Sequence, residues 1–265
     1  MYDFTGKRVL VTGGSSGIGA GMAERFASLG ATVGICARRS DELKVTLDKC
    51  QAHVPESQMW VCDMAIREEV DALADNVLKA FGGVDLLVNN AGIPRRKHVT
   101  ALDFATVENV MRINYLSAIQ LTLALLPQML ERGEGRIVNV SSIAAPLSSP
   151  GESAYDASKA ALAVFSEAMA MDLWFDGVKV MVVYPGVVDT PLFDIPDNDP
   201  LPEGMERIPV SEMVDAIVDG LHNDAVDVYA PAWFKDIVIG KAQNLPGFLA
   251  GAAEYLRTQT IPKLD

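Results

Sequence analysis

Cysteine and histidine are scarce in this sequence. Among its 265 residues there are three residues of each type. The cysteines, Cys36, Cys50 and Cys62, are too far apart for a metal-binding C-x-x-C pair, and their odd number does not suit a disulfide framework. We therefore expect reduced and mostly buried thiols. With so few histidines, the sequence also argues against a dedicated transition-metal site.

Positive charge is also in short supply. The chain has 22 lysines and arginines against 35 aspartates and glutamates, which gives a formal net charge of −13 at pH 7. Nucleic-acid binding needs clustered basic side chains that displace counterions from phosphates. The composition therefore excludes a nucleic-acid partner, and any anionic ligand must be held by local groups.

Neither a leader nor a membrane span is indicated. The chain begins MYDFTGKRVLVTGG, where an acid precedes a predicted strand, so the basic and then apolar pattern of a signal peptide does not fit. No stretch of 18 uncharged apolar residues predicts a spanning helix. We expect a cytoplasmic protein without a spanning segment.

What the sequence does contain is a regular alternation of two patterns. Short runs rich in β-branched residues alternate with longer segments that carry apolar residues at helical spacing. This alternation predicts an α/β, doubly wound Rossmann fold, with a parallel sheet of about seven strands between two layers of helices, and a single domain over 1–265. The predicted strands are 7–12, 31–36, 58–62, 84–89, 135–140, 178–183 and 226–230, and the predicted helices are 17–29, 41–52, 65–81, 102–131, 153–175 and 211–222.

Two segments depart from this alternation. Residues 191–209 hold five prolines and several acids, which predicts a substrate loop or lid. The C-terminal extension, 232–265, interleaves Trp233, Phe234 and aliphatic residues with few charges. We leave three interpretations open for it: added core or dimer surface, a lid on a hydrophobic channel, or a weak peripheral membrane contact.

A glycine-rich loop joins the first predicted strand to the first helix. Glycines allow the backbone to turn sharply and to approach a pyrophosphate, whose charge is stabilised by the free N–H groups at the start of the helix. The strand–loop–helix context predicts a dinucleotide site that includes Gly13, Ser15, Ser16, Gly17, Ile18 and Gly19.

The end of the second predicted strand indicates which dinucleotide binds. An acid there would favour NAD by accepting a hydrogen bond from a ribose 2′-hydroxyl, whereas an arginine would pair with the 2′-phosphate of NADP. The chain has Arg38 and Arg39 at this point and no acid. We therefore predict that NADP(H) is preferred over NAD(H). Two merely solvated arginines are the alternative interpretation.

Tyr155 and Lys159 lie one helical turn apart at the start of predicted helix 153–175. A phenol has an ordinary pKa near 10, so it transfers protons poorly at neutral pH unless nearby positive charge favours the phenolate. The pair predicts a proton-transferring tyrosine activated by an ammonium. By itself, the same spacing more often means a packed ring beside a solvated amine.

Further motifs follow in a fixed order. Asn89-Asn90-Ala91-Gly92 comes at the fourth strand, Asn114 lies in a long helix, Ser141-Ser142 follows the fifth strand, and Pro185-Gly186 follows the sixth. Together with the glycine-rich loop and the tyrosine–lysine pair, this series over 5–190 resembles the short-chain dehydrogenase/reductase family. The resemblance implies an oxidoreductase that moves a hydride between a nicotinamide and a carbonyl or secondary alcohol, and that assembles as a homodimer or homotetramer.

The resemblance also implies catalytic roles. Ser142 would donate a hydrogen bond to the substrate carbonyl oxygen, and Tyr155 would protonate that oxygen. Lys159 would hold the nicotinamide ribose and lower the pKa of the tyrosine. Asn114 would distort its helix and anchor a proton-relay water.

The remaining implied contacts belong to the cofactor. The adenine end would meet Asp63 and Met64, and the adenosine ribose would lie against Asn90, Ala91 and Gly92. The nicotinamide carboxamide would be held by the segment that contains Pro185, Gly186, Val188 and Thr190.

The chain departs from the family pattern in two places. Ser16 occupies a position where many NADP-preferring members have a basic residue, and the chain lacks the Asp-Gly-Gly segment near the end of many shorter members. The tail weakly suggests an apolar substrate. The alternatives that stay open are an NAD-dependent alcohol dehydrogenase, a noncatalytic cofactor-binding regulator, and an epimerase or dehydratase that uses the same tyrosine.

Overall fold

Parallel strands form the centre of the structure, a computed structural model that describes residues 1–195, 198–199 and 205–258. Within those ranges the sheet has seven strands in the order β3-β2-β1-β4-β5-β6-β7, and every neighbouring pair is parallel. The prediction of a doubly wound α/β fold is therefore confirmed. The strands are Arg8–Thr12 (β1), Thr32–Ala37 (β2), Gln58–Val61 (β3), Leu86–Asn89 (β4), Gly135–Val140 (β5), Val178–Pro185 (β6) and Asp227–Ala230 (β7).

Helices connect these strands and cover both faces of the sheet. Each predicted helix is present, with ends that differ by a few residues, as is usual for helix termini. The α-helices of the described ranges are Gly17–Ser28 (α1), Ser40–Gln51 (α2), Arg67–Phe81 (α3), Phe104–Met111 (α4), Ser117–Arg132 (α5), Ala144–Leu147 (α6), Ser153–Asp172 (α7), Val210–His222 (α8), Phe234–Gln243 (α9) and Leu245–Thr258 (α10).

The core forms two layers because successive side chains of a strand point to opposite faces. In β1, Val9 and Val11 pack with α1, α2 and α8, whereas Leu10 packs on the other face, against α3 and α5. All three side chains are fully buried. A parallel sheet covered on both faces thus needs the nearly continuous apolar strands that the sequence shows.

The predicted helix 102–131 is present with nearly the expected length, and it is notably apolar. Segment Phe104–Arg132 is long and apolar enough to cross a membrane, judged by length and composition alone. It runs from α4 through a π-helical turn, Arg112–Leu116, into α5. Leu121, Leu125 and Met129 on α5 are fully buried in the core. Packing against the sheet accounts for the apolar character of this face.

Two predicted segments lie only partly within the described residues. The predicted substrate loop, 191–209, begins with a 3-10 turn at Pro191–Asp194, and its residues 196–197 and 200–204 lie outside the described ranges. The C-terminal extension forms α9 and α10, and its last residues, 259–265, also lie outside. Lys241 on α9 donates a hydrogen bond to the Pro146 carbonyl at 2.7 Å, which ties the extension to α6.

A bidentate ion pair fastens the amino ends of β1 and β4. Arg8 Nε donates to Asp85 Oδ2 at 2.9 Å, and Arg8 Nη2 donates to Asp85 Oδ1 at 2.7 Å. Arg132 adds a second cation 3.3 Å from the same carboxylate. Burial by itself raises the pKa of Asp85, but the hydrogen bonds and charge of Arg8, with the charge of Arg132, outweigh that effect and lower the pKa overall.

We predict that Asp85→Asn reduces the free energy of unfolding at pH 7 by about 1–3 kcal/mol, because two arginines lose their anionic partner. A carboxyl with a lowered pKa in the folded state stabilises above its unfolded pKa, and that stability disappears as pH falls through the folded pKa. The difference in the free energy of unfolding between wild type and Asp85→Asn should therefore become smaller as the pH falls. Urea denaturation at several pH values measures it. Asp48→Asn, at an exposed pair with Lys44, is the control and should change stability by about 0.5 kcal/mol or less; an equal effect of both variants would contradict the prediction.

Candidate functional site

A cavity of about 620 Å³ opens at the carboxyl ends of the strands. It spans the point between β1 and β4 where the order of the sheet reverses, which is where open α/β sheets bind ligands. Asn114 does not line it. The predicted site residues that do are Gly13, Ser15, Ser16, Gly17, Ile18, Gly19, Arg38, Arg39, Asp63, Met64, Asn90, Ala91, Gly92, Ser142, Tyr155, Lys159, Pro185, Gly186, Val188 and Thr190.

The glycine-rich loop comes close to its own backbone and leaves no room for larger residues. Gly13 and Gly17 have φ angles of 71° and 55°, which L residues with side chains rarely adopt. A Cβ on Gly19 would lie 2.2 Å from the Gly13 carbonyl oxygen. Because α1 begins at Gly17, the unpaired N–H groups of its first turn face this end of the cavity. The loop therefore forms a cradle suited to a pyrophosphate.

Thr12 joins the carboxyl ends of β1 and β4, a role that the sequence analysis did not assign to it. Its hydroxyl oxygen accepts hydrogen bonds from the backbone N–H groups of Asn90 at 2.9 Å and Ala91 at 3.0 Å. In return, Asn90 Nδ2 donates to the Thr12 carbonyl at 2.9 Å. The position of Thr12 directly before the glycine-rich loop was the available signal. These bonds fix the two cofactor-facing segments to each other.

Arg39 reaches back over the glycine-rich loop. Its Nη2 donates hydrogen bonds to Ser16 Oγ at 2.8 Å and to Ser15 Oγ at 3.1 Å. Its Nη1 also lies 3.3 Å from Glu42, and half of the side chain is exposed. The guanidinium and the two hydroxyls thus form one polar group of donors at the edge of the cavity, and the arginine is not simply solvated.

Arg38 takes a different direction. Its Nη1 lies 3.9 Å from Asp63 Oδ2. Asp63 Oδ1 accepts a hydrogen bond from the Ala65 backbone at 2.9 Å, which holds the carboxylate at the end of β3 beside the cavity. Each of the two arginines therefore faces a protein carboxylate, and Arg39 also contacts the two loop hydroxyls.

At the other end of the cavity, Tyr155 projects from the first turn of α7 beside Ser142. Ser142 Oγ accepts a hydrogen bond from the Ala144 backbone at 3.1 Å, so its O–H remains a donor. Burial raises the pKa of Tyr155, and the Glu152 carboxylate raises it further, while a hydrogen bond with Ser142 lowers it. The net shift is upward, so the phenol form is favoured in this structure.

Lys159 is buried on α7 behind the tyrosine and is only 4% exposed. Its Nζ donates to the Val140 carbonyl at 2.8 Å and lies 5.9 Å from the centre of the Tyr155 ring. Burial lowers the pKa of this amine to about 8. The lysine is therefore not the solvated amine of the alternative interpretation, and two of its three N–H donors are left for a ligand.

Asn114 stands behind the cavity, in the π-helical turn between α4 and α5. Its Oδ1 accepts from the Ile93 backbone N–H at 2.8 Å, and its Nδ2 donates to the Ile93 carbonyl and to Ser158 Oγ, each at 3.0 Å. The side chain thus connects the long helix to the loop after β4 and to α7. Through these hydrogen bonds Asn114 supports the wall of the cavity.

The loop after β6 closes the nicotinamide end of the predicted site. Val188 forms a parallel bridge with Ile208 and is buried. A Cβ on Gly17 would lie 2.9 Å from Thr190 Cγ2, so this loop touches the start of α1. The structure therefore brings the first and last predicted cofactor segments into contact.

The substrate end contains residues that the sequence analysis missed. Arg96 and Glu152 line the cavity and form a buried ion pair whose atoms Nη1 and Oε1 are 3.5 Å apart. No motif marked them, because they lie 56 positions apart. The other lining residues of this end are mostly apolar: Ile93, Pro94, Ile143, Phe193, Ile195, Met205, Ala252 and Tyr255.

Of the three cysteines, Cys62 lies in the cavity wall beside Asp63, whereas Cys36 and Cys50 do not line the cavity. All are unpaired and buried. Burial raises the pKa of the Cys50 and Cys62 thiols to about 11, so neither forms a thiolate readily at neutral pH. Within the described ranges, no three His, Cys, Asp or Glu side chains come together as a metal site.

Comparison with known proteins gives a family match. The family model for short chain dehydrogenases matches residues 7–199. A fatty acyl-CoA reductase from Mycobacterium tuberculosis is 39% identical over 193 residues, which cover 72% of this chain and 66% of that protein. The matches with several curated relatives span between 56% and 66% of those proteins, which are longer than the shared region.

Solved structures resemble the whole chain. A short-chain dehydrogenase/reductase from Burkholderia phymatum, solved with NAD, superimposes with a TM-score of 0.85 at 24% identity, and each chain is fully covered. A short-chain dehydrogenase from Sphingobium yanoikuyae, solved with NADPH, gives a TM-score of 0.80 at 27% identity, with 91% of this chain and 95% of that chain covered. The first likeness shows the shared fold, and the two proteins carry different nicotinamide cofactors.

We predict that Gly19→Ala weakens NADPH binding at least about tenfold, because the new methyl group would push the loop away from the position where its N–H groups face a pyrophosphate. Titration of NADPH fluorescence gives the dissociation constant. Gly240→Ala is the matched control, since a Cβ at that site on α9 meets no atom within 4 Å. Equal NADPH affinity in wild type and Gly19→Ala would contradict the role of the cradle.

Proposed function

The chain belongs to the short-chain dehydrogenase/reductase family, and on that premise we propose that this oxidoreductase uses NADP(H) to interconvert an apolar ketone and its secondary alcohol. The observation that carries the proposal is the placement of Tyr155 between the Ser142 hydroxyl and the buried Lys159 at the apolar end of the cavity. A nicotinamide supplies or accepts the hydride when it is bound. The residues of the chain bind, orient and transfer the proton.

In the direction of reduction, Ser142 donates a hydrogen bond to the carbonyl oxygen and Tyr155 gives that oxygen its proton. The upward shift of the Tyr155 pKa supports this order, because the tyrosine must hold its proton until negative charge develops on the substrate. In the reverse direction the phenolate accepts the alcohol proton. That form needs positive charge nearby, which is the proposed task of Lys159.

The proposed role of Lys159 is to stabilise the phenolate form of Tyr155 by its position and its positive charge. Burial disfavours the ammonium, but an anion next to it, such as the developing phenolate, would favour the charged form again. The two N–H donors not used by Val140 suit the hydroxyls of a ribose. Asn114 has a positioning role, since it links the Ile93 loop to α7 through Ser158 and does not line the cavity.

The preference for NADP(H) rests chiefly on Arg39. Its guanidinium and the hydroxyls of Ser15 and Ser16 form a set of donors that suits a phosphate, and no acid ends β2 to accept from a ribose 2′-hydroxyl. Ser16 replaces the basic residue of many NADP-preferring relatives, so Arg39 would supply the missing charge. Arg38, which faces Asp63, contributes less.

The apolar substrate is supported by the lining of the cavity. Ile93, Ile143 and Phe193 offer no polar side-chain atoms, and Ala252 and Tyr255 bring α10 to the same space. The contact favours the lid interpretation of the C-terminal extension. A relative named as a fatty acyl-CoA reductase is in keeping with a hydrocarbon substrate, but it shares only part of its length with this chain.

A homodimer or homotetramer remains part of the proposal. Val164 and Met171 on α7, and Trp174 and Phe175 after it, are 65%, 71%, 66% and 94% exposed. Large exposed apolar side chains close together in the chain favour association. We also infer that the chain acts as one domain, because β7 pairs with β6 and extends the same sheet.

We predict that the protein binds NADPH about 10–100-fold more tightly than NADH, the range expected for a charge-assisted phosphate contact. Arg39→Ala should remove most of this difference by weakening NADPH binding, with little change for NADH. Fluorescence titrations with both dinucleotides at fixed ionic strength test it. Arg38→Ala is the matched comparison and should lose less affinity for NADPH; equal or reversed affinities in the wild type would refute the preference.

We predict that Tyr155→Phe lowers kcat with any reducible ketone by roughly 10²–10⁴-fold, because no other group in its place can transfer the proton. NADPH affinity should stay within about twofold. Steady-state assays at the nicotinamide absorbance and a binding titration separate the two effects. Tyr229→Phe, on β7 outside the cavity lining, is the control. Turnover retained by Tyr155→Phe would show that another residue carries the proton.

A further inference from the structure

A buried arginine borders the substrate end of the cavity. Arg96 lies in the loop after β4, is 4% exposed and lines the cavity. A guanidinium carries a permanent charge and five N–H donors, so its burial is unfavourable unless each of them meets a partner. The partners of this side chain therefore indicate its purpose.

The contacts of Arg96 hold it between the substrate loop and the start of α7. Its Nε donates to the Asp199 carbonyl at 2.8 Å, and its backbone N–H donates to Asn198 Oδ1 at 3.0 Å. The guanidinium lies 5.6 Å from the centre of the Phe193 ring. Its Nη1 faces Glu152, 3.5 Å away. The arginine is thus fixed in position by three segments of the chain.

These partners leave part of the guanidinium unused. Nη2 is buried and has no hydrogen-bond partner among the described residues. The contact with Glu152 is long for an ion pair between buried groups. Burial raises the pKa of Glu152 and the charge of Arg96 only partly offsets this, so the carboxylate compensates the arginine weakly. A buried group with spare donors at a ligand cavity needs an explanation.

The unpaired N–H groups of Arg96 Nη2 belong to the end of the cavity that contains Tyr155. Glu152 precedes Tyr155 by three residues at the beginning of α7. The charges of both Glu152 and Arg96 act on the tyrosine, in opposite directions. Around them, Ile93, Ile143 and other apolar side chains supply no competing acceptor to the cavity. A ligand held at Tyr155 would therefore bring its neighbouring atoms towards Arg96.

We propose that Arg96 selects substrates with a second acceptor oxygen, that of an ester or a carboxylate, a few atoms from the carbonyl that Tyr155 protonates. This inference rests on the proposed function and names its substrate class. A substrate oxygen gives the guanidinium a partner that the described part of the chain does not provide. A plain ketone leaves that donor unpaired, and sites built to form a hydrogen bond discriminate strongly against analogues that lack the group.

The test compares carbonyl compounds of equal chain length with NADPH as the reductant. The plain ketones are 2-decanone and 4-decanone; the oxygenated set is methyl 3-oxodecanoate with 2-oxo- and 4-oxodecanoic acid and their methyl esters. We expect kcat/KM for the best oxygenated compound to exceed that of the best plain ketone at least about tenfold. Comparison of acids with esters shows whether the acceptor is an anion or a neutral oxygen.

Arg96→Leu should then lower the ratio of kcat/KM for the oxygenated compound to that for the ketone by roughly 10–100-fold. Arg96→Lys should restore part of the ratio, because an ammonium keeps the charge but not the planar donors. Lys97→Leu is the control, since this neighbour does not line the cavity, and it should keep the wild-type ratio. NADPH affinity and the melting temperature are measured for each variant, and Arg96→Gln replaces the leucine variant if that one does not fold.

The outcomes separate the two proposals. Wild-type protein that reduces plain ketones as well as oxygenated ones overturns the selection by Arg96 and leaves the proposed function standing. An equal loss for both classes in Arg96→Leu also overturns it, because the arginine would then only support the loop or the tyrosine. Wild-type protein that binds NADPH but converts no carbonyl compound and no alcohol would reject the proposed function itself.

Discussion

A buried amine close to a partly buried phenol is the constraint to which the rest of the site conforms. Removal of water disfavours the charged form of each group: the pKa of Tyr155 rises and that of Lys159 falls. Neither group therefore ionises readily by itself, and a phenolate and an ammonium placed this close would stabilise each other. Around them, hydrogen bonds from Lys159 to Val140 and from Ser141 to the Lys159 carbonyl keep α7 fixed against β5.

The parallel strands of the sheet have their carboxyl ends at one edge. The glycine-rich loop, Tyr155 and Lys159 therefore line the same cavity. Thr12 at the end of β1 accepts hydrogen bonds from the segment that follows β4, which holds the start of the glycine-rich loop in place. The cavity that results has two halves with different chemistry. Glycines, hydroxyls and arginines line the half predicted to hold the cofactor, whereas aliphatic and aromatic side chains line the half near Tyr155, which also contains the ion pair of Arg96 and Glu152.

Local patterns in the sequence carried much of this information. The alternation of β-branched runs with helical segments predicted the order of strands and helices, since both patterns report burial on a face. The glycine-rich loop and the Tyr155–Lys159 spacing are short-range features, which a sequence displays directly. The form of the distortion at Asn114, a π-helical turn, was not evident, because it depends on how that helix packs.

The sequence by itself determined the fold class, the cradle and the order of the polar residues, because each depends on the types and spacing of near neighbours. Only the tertiary structure decided which arginine turns to the loop hydroxyls, since Arg38 and Arg39 are adjacent and chemically alike until Asp63 and Ser16 are placed beside them. It also decided that Arg96 meets Glu152. Residues distant in the chain become partners through packing, and their charges acquire shifted pKa values through burial, which no local pattern encodes.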